Sequence, residues 1–226
     1  MGVFSYQVIS PTRRLLIDTT MNEATAKANE GKHFDTAAFA RVVAAMNEVE
    51  TIIVTHEHFD HLGGLAAQPN LSALLAKTKL TAEQVGSLPD SIKPGTWPAA
   101  GLQGYPPLVT GALFALAPGV VLIKSPGHTP GSQMVYVQRA DGVEYLFIGD
   151  VAWSKENIDR VRGRAGLVSQ FFLKEDRAAV IRQLAQLHRL SQAEPSVHIV
   201  PGHDLATIEA LKNGLLLADH FVQPRP

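Results

Sequence analysis

No cysteine occurs among the 226 residues. That absence excludes disulfides, zinc–thiolate sites and any cysteine nucleophile. An excess of either charge is also missing: 20 Lys and Arg stand against 21 Asp and Glu, for a net charge of -1. A chain so balanced carries no electrostatic footprint for nucleic acid or for an anionic membrane, and neither partner is expected. No apolar run approaches the roughly 20 residues needed to span a bilayer. Residues 1–11 lack the basic start and long apolar stretch of a signal peptide, and Tyr6 stands where myristoylation prefers serine or threonine. The expectation is a soluble protein, cytoplasmic by default, or secreted or periplasmic had an upstream leader been removed. Low-complexity tracts and short tandem repeats are absent too. What remains is an ordinary globular composition, 46% hydrophobic and 18% charged, long enough for a sizeable core in a single domain spanning 1–226.

Hydrophobic patterning places strands at 4–9 and 14–17, separated by the turn signal Ser10-Pro11-Thr12. Asp35 and Thr36 offer a cap for a helix running to about Glu48, with Ala38, Phe39, Val42, Val43 and Met46 as its apolar stripe. A strand follows at 51–55, and Thr81 with Gln84 provides a capping box for a further helix. From Gly86 to Gly119 the chain is dense in glycine and proline, with Trp97, Tyr105 and Phe114 among them. A stretch of that kind reads as a functional loop, a lid or pocket wall. Strands are expected again at 120–124, 133–139 and 143–148, the last two joined at Asp141-Gly142. An amphipathic helix covers 175–190, and a strand at 197–200 ends in Pro201-Gly202-His203. Strand-rich stretches followed by helices predict a layered α/β fold.

The densest chemistry lies in His56-Glu57-His58-Phe59-Asp60-His61, at the exit of the apolar strand 51–55. Extended residues two apart point the same way, so His56 and His58 can grip one ion while Asp60 and His61 face a second. Imidazole and carboxylate donors at this density suit zinc, or less often iron or manganese. His128, Asp150 and His203 recur in one setting, each just past a strand and each directly preceded by glycine. Strand ends are rigid mounts for such groups. Asp18 and Asp204 are candidates for fixing histidine tautomers, or else for capping turns. His33, His188, His198 and His220 read as solvated, boundary or core residues.

These motifs resemble the metallo-β-lactamase superfamily. The signature His-x-His-x-Asp-His is matched at residues 56–61, the later ligands by His128, Asp150 and His203, and the early turn by Leu16-Ile17-Asp18-Thr19-Thr20, with Thr20 replacing the usual glycine. The resemblance implies a four-layer αβ/βα sandwich with a dinuclear site at one edge. It assigns His56, His58 and His128 to one metal and Asp60, His61 and His203 to the other, bridged by Asp150. Two zinc ions per chain are expected, with iron or manganese as alternatives.

Within the superfamily, His58 stands where the diiron flavoproteins carry glutamate. No Gly-Cys-Gly-Arg stretch follows Asp150, as it does in thioesterase and persulfide dioxygenase branches, and Asp150 itself is atypical of true β-lactamases. The segments around His128, Asp150 and His203 are most similar to the lactonase and esterase-like branch. There a tyrosine three residues past the bridging aspartate binds the substrate carbonyl, and here Trp153 takes that place. The expected function is therefore a dinuclear hydrolase whose metal-bridging hydroxide opens a lactone or cleaves a related ester, with Asp60, Asp150 and Trp153 as its catalytic residues and a small molecule as substrate. Hydrolysis of β-lactams, thioesters or phosphodiesters on the same fold is the alternative. A mononuclear iron oxygenase and a non-catalytic metal-binding protein are the alternatives of another class.

Overall fold

The computed structural model describes residues 1–29, 33–91, 102, 104–218 and 220–221, with backbone alone at 89–91. The chain divides into two compact units, Val3–Val109 with Ala218–Pro226, and Met1–Gly2 with Thr110–Leu217.

In the first of these, β1 (Tyr6–Ile9), β2 (Arg14–Ile17), β3 (Thr51–Ile53) and β4 (Thr78–Lys79) form a sheet in that order. β1 is antiparallel to β2, whereas β2, β3 and β4 are parallel. Parallel neighbours need long crossovers. Helices α1 (Glu23–Ala28) and α2 (Thr36–Glu48) occupy the first crossover, and α3 (Phe59–Ala66) and α4 (Leu71–Leu75) the second. Strands covered in this way lose their polar face, and all three residues of β3 are buried. Asp35 caps α2 as expected, its Oδ1 accepting from the Ala38 amide at 2.8 Å. Val42 and Met46 of that helix join Leu16, Ile52, Leu62, Leu65, Leu74 and Leu80 in the core. Each such side chain contributes about 1.5–3 kcal/mol over its exposed state.

The expected loop at 86–119 needs correction. Helix α5 (Ala82–Ser91) extends through its first residues, and β5 (Leu113–Ala117) occupies its end. Gly86 is tolerated in α5 because the helix is fixed at its start. The Thr81 amide donates to Gln84 Oε1 at 3.0 Å, and the Gln84 amide to Thr81 Oγ1 at 3.2 Å. Tyr105 is a packing residue whose hydroxyl donates to the Thr78 carbonyl at 2.6 Å and accepts from the Leu80 amide at 3.0 Å. Phe114 lies half-buried on β5. Trp97 falls outside the described residues, and with it the middle of the expected lid.

In the other unit the sheet order is β5, β6 (Val120–Lys124), β7 (Gln133–Gln138), β8 (Glu144–Phe147) and β9 (Val197–Val200). All neighbours are antiparallel except β8 and β9. Between β7 and β8 the Arg139 amide bonds the Val143 carbonyl at 2.9 Å and so closes a three-residue loop, 140–142, rather than a two-residue turn, with Gly142 at φ 86° and its amide bonded to the Arg139 carbonyl at 3.0 Å. A left-handed residue closing such a loop is why glycine sits there. Helix α6 (Lys155–Asp159) follows β8, α7 (Arg177–Ala193) precedes β9 and α8 (Leu205–Asn213) follows it. The long helix starts two residues later than its pattern predicts, because Asp176 is its cap and accepts from the Ala179 amide at 2.9 Å. Val180, Leu184 and Leu187 bury its inner face against Met134, Leu146, Ile148 and Ile158. Among the described residues no helix is long and apolar enough to cross a membrane.

Candidate metal centre

Register places the donors. Ile17 pairs with Ile53, so the residues following β2 and β3, Asp18 onward and Val54 onward, leave the sheet at the same end. Asp18 takes φ 60° and Thr20 φ 55°, a backbone region that favours glycine. The turn is left-handed at both positions. In that conformation the Asp18 carboxylate is buried and fully engaged. Its Oδ1 accepts from the Thr55 amide at 2.7 Å, while Oδ2 accepts from Thr55 Oγ1 at 2.8 Å and from His61 Nδ1 at 2.8 Å. A carboxylate on Nδ1 puts the proton there and the lone pair on Nε2, the arrangement typical of metal-ligating histidine. Asp18→Asn preserves the shape and tolerates the positive φ. Its expected outcome is a retained fold with metal affinity lowered about 10–100-fold, measured by competition with a chromophoric chelator.

The helix after the motif, α3, begins at Phe59, with His58 as its cap residue. Asp60 and His61 therefore ride on its first turn, whereas His56 and His58 belong to the extended chain before it. His56 Nε2 and His58 Nδ1 stand 3.1 Å apart. Two nitrogens each about 2.0–2.1 Å from a tetrahedral ion are separated by roughly 3.3 Å, so this pair fits joint ligation. His56 and His61 are buried, and Asp60 is the more accessible of the acids, its side chain 18% exposed with Oδ2 3.8 Å from His61 Nε2.

Helix α3 is locked to the β2 turn by close backbone approach. The Thr19 amide donates to the His61 carbonyl at 2.7 Å, the Gly64 amide to the Thr20 carbonyl at 2.9 Å, and the Leu65 amide to Thr19 Oγ1 at 3.1 Å. A side chain at Gly64 would collide with that backbone.

The other unit carries its own set. β6 and β8 run the same way through the intervening antiparallel β7, and β8 is parallel to β9. His128, Asp150 and His203 thus all follow C-terminal strand ends at one edge of this sheet. Phe147 pairs with Val200, which makes Asp150 and His203 equivalent positions beyond adjacent strands. The Asp150 carboxylate lies between the two imidazoles, 3.5 Å from His128 Nε2 and 3.1 Å from His203 Nε2. Gly202 is dictated by this crowding, since a Cβ there would meet Asp150 Oδ1 at 2.2 Å.

Sequence reasoning missed what steadies these side chains. His128 Nδ1 is bonded to Glu175 Oε1 at 2.6 Å, and His203 Nδ1 to the Gly2 carbonyl at 2.6 Å. As with His61, both contacts leave the lone pair on Nε2. Glu175 in turn meets Arg164 at 2.5 Å. Burial pushes the Glu175 carboxyl upward, but the hydrogen bond from His128 and the Arg164 charge outweigh it, and its pKa falls below the ordinary value. Burial draws the Arg164 guanidinium downward, with Asp150 and Glu175 opposing in part. Asp204, expected either on a histidine or at a turn, takes the second role. It caps α8, accepting from the Thr207 amide at 3.4 Å, and receives the Lys155 amide at 2.7 Å. Trp153, expected to hydrogen-bond a substrate carbonyl, instead donates its indole N–H to Asp150 Oδ2 at 2.6 Å. An indole has one donor, and this one is directed at the carboxylate.

Comparison with known proteins matches this arrangement to a class. Residues 1–203 match the family model of the metallo-beta-lactamase superfamily, and the chain belongs to that superfamily. It has the metallo-β-lactamase fold and is a metal-dependent hydrolase, with histidine and aspartate groups suited to divalent ions. Its particular likenesses are to lactonases. An N-acyl homoserine lactonase of Bacillus sp is 26% identical over 224 residues, covering 91% of this chain and 82% of that protein. Its Bacillus cereus counterpart is 25% identical over the same length. Among solved structures, a quorum-quenching N-acyl homoserine lactone lactonase superposes with a TM-score of 0.68 at 19% identity, covering 92% of this chain and 82% of that one. An N-acyl homoserine lactone hydrolase with N-hexanoyl-L-homoserine bound at its catalytic metal centre gives 0.64 at 18% identity, covering 92% and 83%.

Proposed function

We propose that the protein is a dinuclear metal-dependent lactonase, in which His56, His58, Asp60 and His61 act together with His128, Asp150 and His203 on one pair of divalent ions, zinc by the chemistry of the donors. The observation that carries this reading is the orientation of the imidazoles. Three have Nδ1 tied to a fixed oxygen, on Asp18, Glu175 or Gly2, and the remaining two face each other at ligand spacing. When bound, such ions polarise a carbonyl and acidify water enough to supply a nucleophile at neutral pH.

The chain's own residues supply the rest. Asp150, flanked by two imidazoles, offsets the charge of both ions. Opening a lactone adds water across the acyl carbon–oxygen bond, so the departing alkoxide must gain a proton. Asp60, a partly exposed carboxylate at the start of α3, is the group placed to carry it. Trp153 supports Asp150, leaving the substrate carbonyl to the ions. A neutral, small lactone fits a chain without a strong field of either sign, and the named activity of the Bacillus relatives favours N-acyl homoserine lactones within that class.

The test is a substrate panel with metal content measured in parallel. Zinc-loaded protein should open N-acyl homoserine lactones with kcat/KM at least about 100-fold above β-lactams, thioesters and phosphodiesters, a margin of roughly 2.7 kcal/mol. Chelation should abolish turnover, and zinc should restore it. Preference for another class on the panel would replace the lactone assignment, and turnover persisting in metal-free protein would remove the metal mechanism.

A further inference from the structure

Arg164 lies in a glycine-rich loop, yet its side chain is only 4% exposed, and it touches both neighbours of the ligand set at once. One nitrogen, Nη1, meets Glu175 Oε1 at 2.5 Å, the same oxygen that receives His128 Nδ1 at 2.6 Å. The other, Nη2, donates to the backbone carbonyl of Asp150. The guanidinium plane also sits 4.4 Å over the Trp153 ring, whose N–H holds Asp150 Oδ2 at 2.6 Å. The edge of that indole lies against the His203 ring, with centroids 6.0 Å apart. The Trp153 carbonyl accepts from the His203 amide at 3.2 Å.

We propose that Arg164 is a positioning residue for two ligands simultaneously, His128 through Glu175 and Asp150 through its carbonyl and through Trp153. It rests on the assignment of His128 and Asp150 as metal ligands made above. The side chain is suited to the task because a guanidinium is a rigid planar fork that can donate along two edges and stack on an aromatic face together. Lysine offers a point charge and no plane. A buried cation whose only role were packing would be expensive. Here the Glu175 carboxylate neutralises it, and each of its terminal nitrogens is aimed at a group that fixes a ligand. The arginine over the indole face and the indole N–H on Oδ2 together hold the Asp150 carboxylate in place.

Two readouts test the assignment. In equilibrium zinc titrations of the full chain, Glu175→Gln should weaken one of the two binding events about 10–100-fold, because it disturbs His128 directly while Arg164 keeps its contacts with the Asp150 carbonyl and the Trp153 ring. Arg164→Gln should weaken both by a similar factor, and Arg164→Lys should not restore them. Cobalt-substituted protein should show the same order in its visible ligand-field bands, with both Arg164 variants altered. Unchanged zinc affinities in Arg164→Gln would overturn the proposal. So would a loss confined to the event that Glu175→Gln affects, which would leave Arg164 acting on His128 only. If Arg164→Gln does not fold, Arg164→Lys is read by the same criteria.

The second readout needs no metal. With Trp97→Phe as background, Trp153 is the sole tryptophan. Its emission should shift in metal-free Arg164→Gln, which removes the guanidinium from over the ring. Identical spectra would contradict the network even if the protein binds metal. A shift in emission with no zinc binding by the parent protein would sustain the network and reject the metal-centre reading instead.

Discussion

Asp150→Asn is expected to lower kcat/KM for lactone opening by roughly 10³-fold or more, about 4 kcal/mol of barrier, while the fold survives. The amide is the same size as the carboxylate, so the Gly202 approach at 2.2 Å from the Cβ position to Oδ1 is undisturbed. What changes is charge and donor pattern. Asp150 accepts the Trp153 N–H at 2.6 Å and lies between His128 and His203. Substituting an NH2 for one oxygen sets a donor against a donor or against a cation. Neutralising the position would also remove the charge compensation that the proposed pair of dications requires. Circular dichroism and thermal melting should match the parent protein, with steady-state kinetics and metal stoichiometry both reduced. Full activity with full metal content would remove Asp150 from the centre.

Gly64→Ala should produce the largest loss of stability among the single substitutions considered. A Cβ at this position would stand 1.9 Å from the Thr19 carbonyl oxygen and 3.1 Å from Phe39. The first obstacle is backbone, and that backbone is itself held. The Thr19 amide bonds the His61 carbonyl and the Thr20 carbonyl receives the Gly64 amide. Relief requires α3 to move away from the β2 turn, breaking those bonds and tilting the helical turn that carries Asp60 and His61. Overpacking of this kind costs about 1–3 kcal/mol and more where nothing can yield. The expected value is at or above the top of that range, read as a shift in the urea midpoint at unchanged m-value. Weakened metal binding should accompany it. Gly63→Ala, whose nearest neighbour would be the Met21 side chain at 3.6 Å, is the matched control and should be close to neutral.

The proposed metal ligands were legible because each announces itself locally. The motif at 56–61 is contiguous, and His128, Asp150 and His203 follow apolar strands with glycine in front. Strand pairing then does the long-range work. Equivalent positions past β8 and β9 bring Asp150 and His203 together without any signal in the sequence beyond two apolar runs. The supporting residues were not legible for the opposite reason. Glu175 looks like the opening of an amphipathic helix and Arg164 like a solvated loop residue. Neither carries a pattern that says it is buried, because each is buried by its partner. The Gly2 carbonyl has no side chain to read at all. Glycine density misled at 86–119, where a capping box and the burial of Leu88 sustain α5 through Gly86 and register with β6 draws 113–117 into the sheet. The start of α3 was not legible either. The motif's polar residues read as loop, yet Asp60 and His61 lie within the first turn of α3, where an acidic residue meets the positive end of the helix.

Anomalous diffraction at the zinc edge, on crystals grown with stoichiometric zinc, puts the central claim to its most direct test. Two peaks about 3.5–4 Å apart, one contacted by His56, His58 and His128, the other by Asp60, His61 and His203, and both by Asp150, are the predicted result. A single peak elsewhere, or no peak at these seven side chains in fully zinc-exposed crystals, would contradict it.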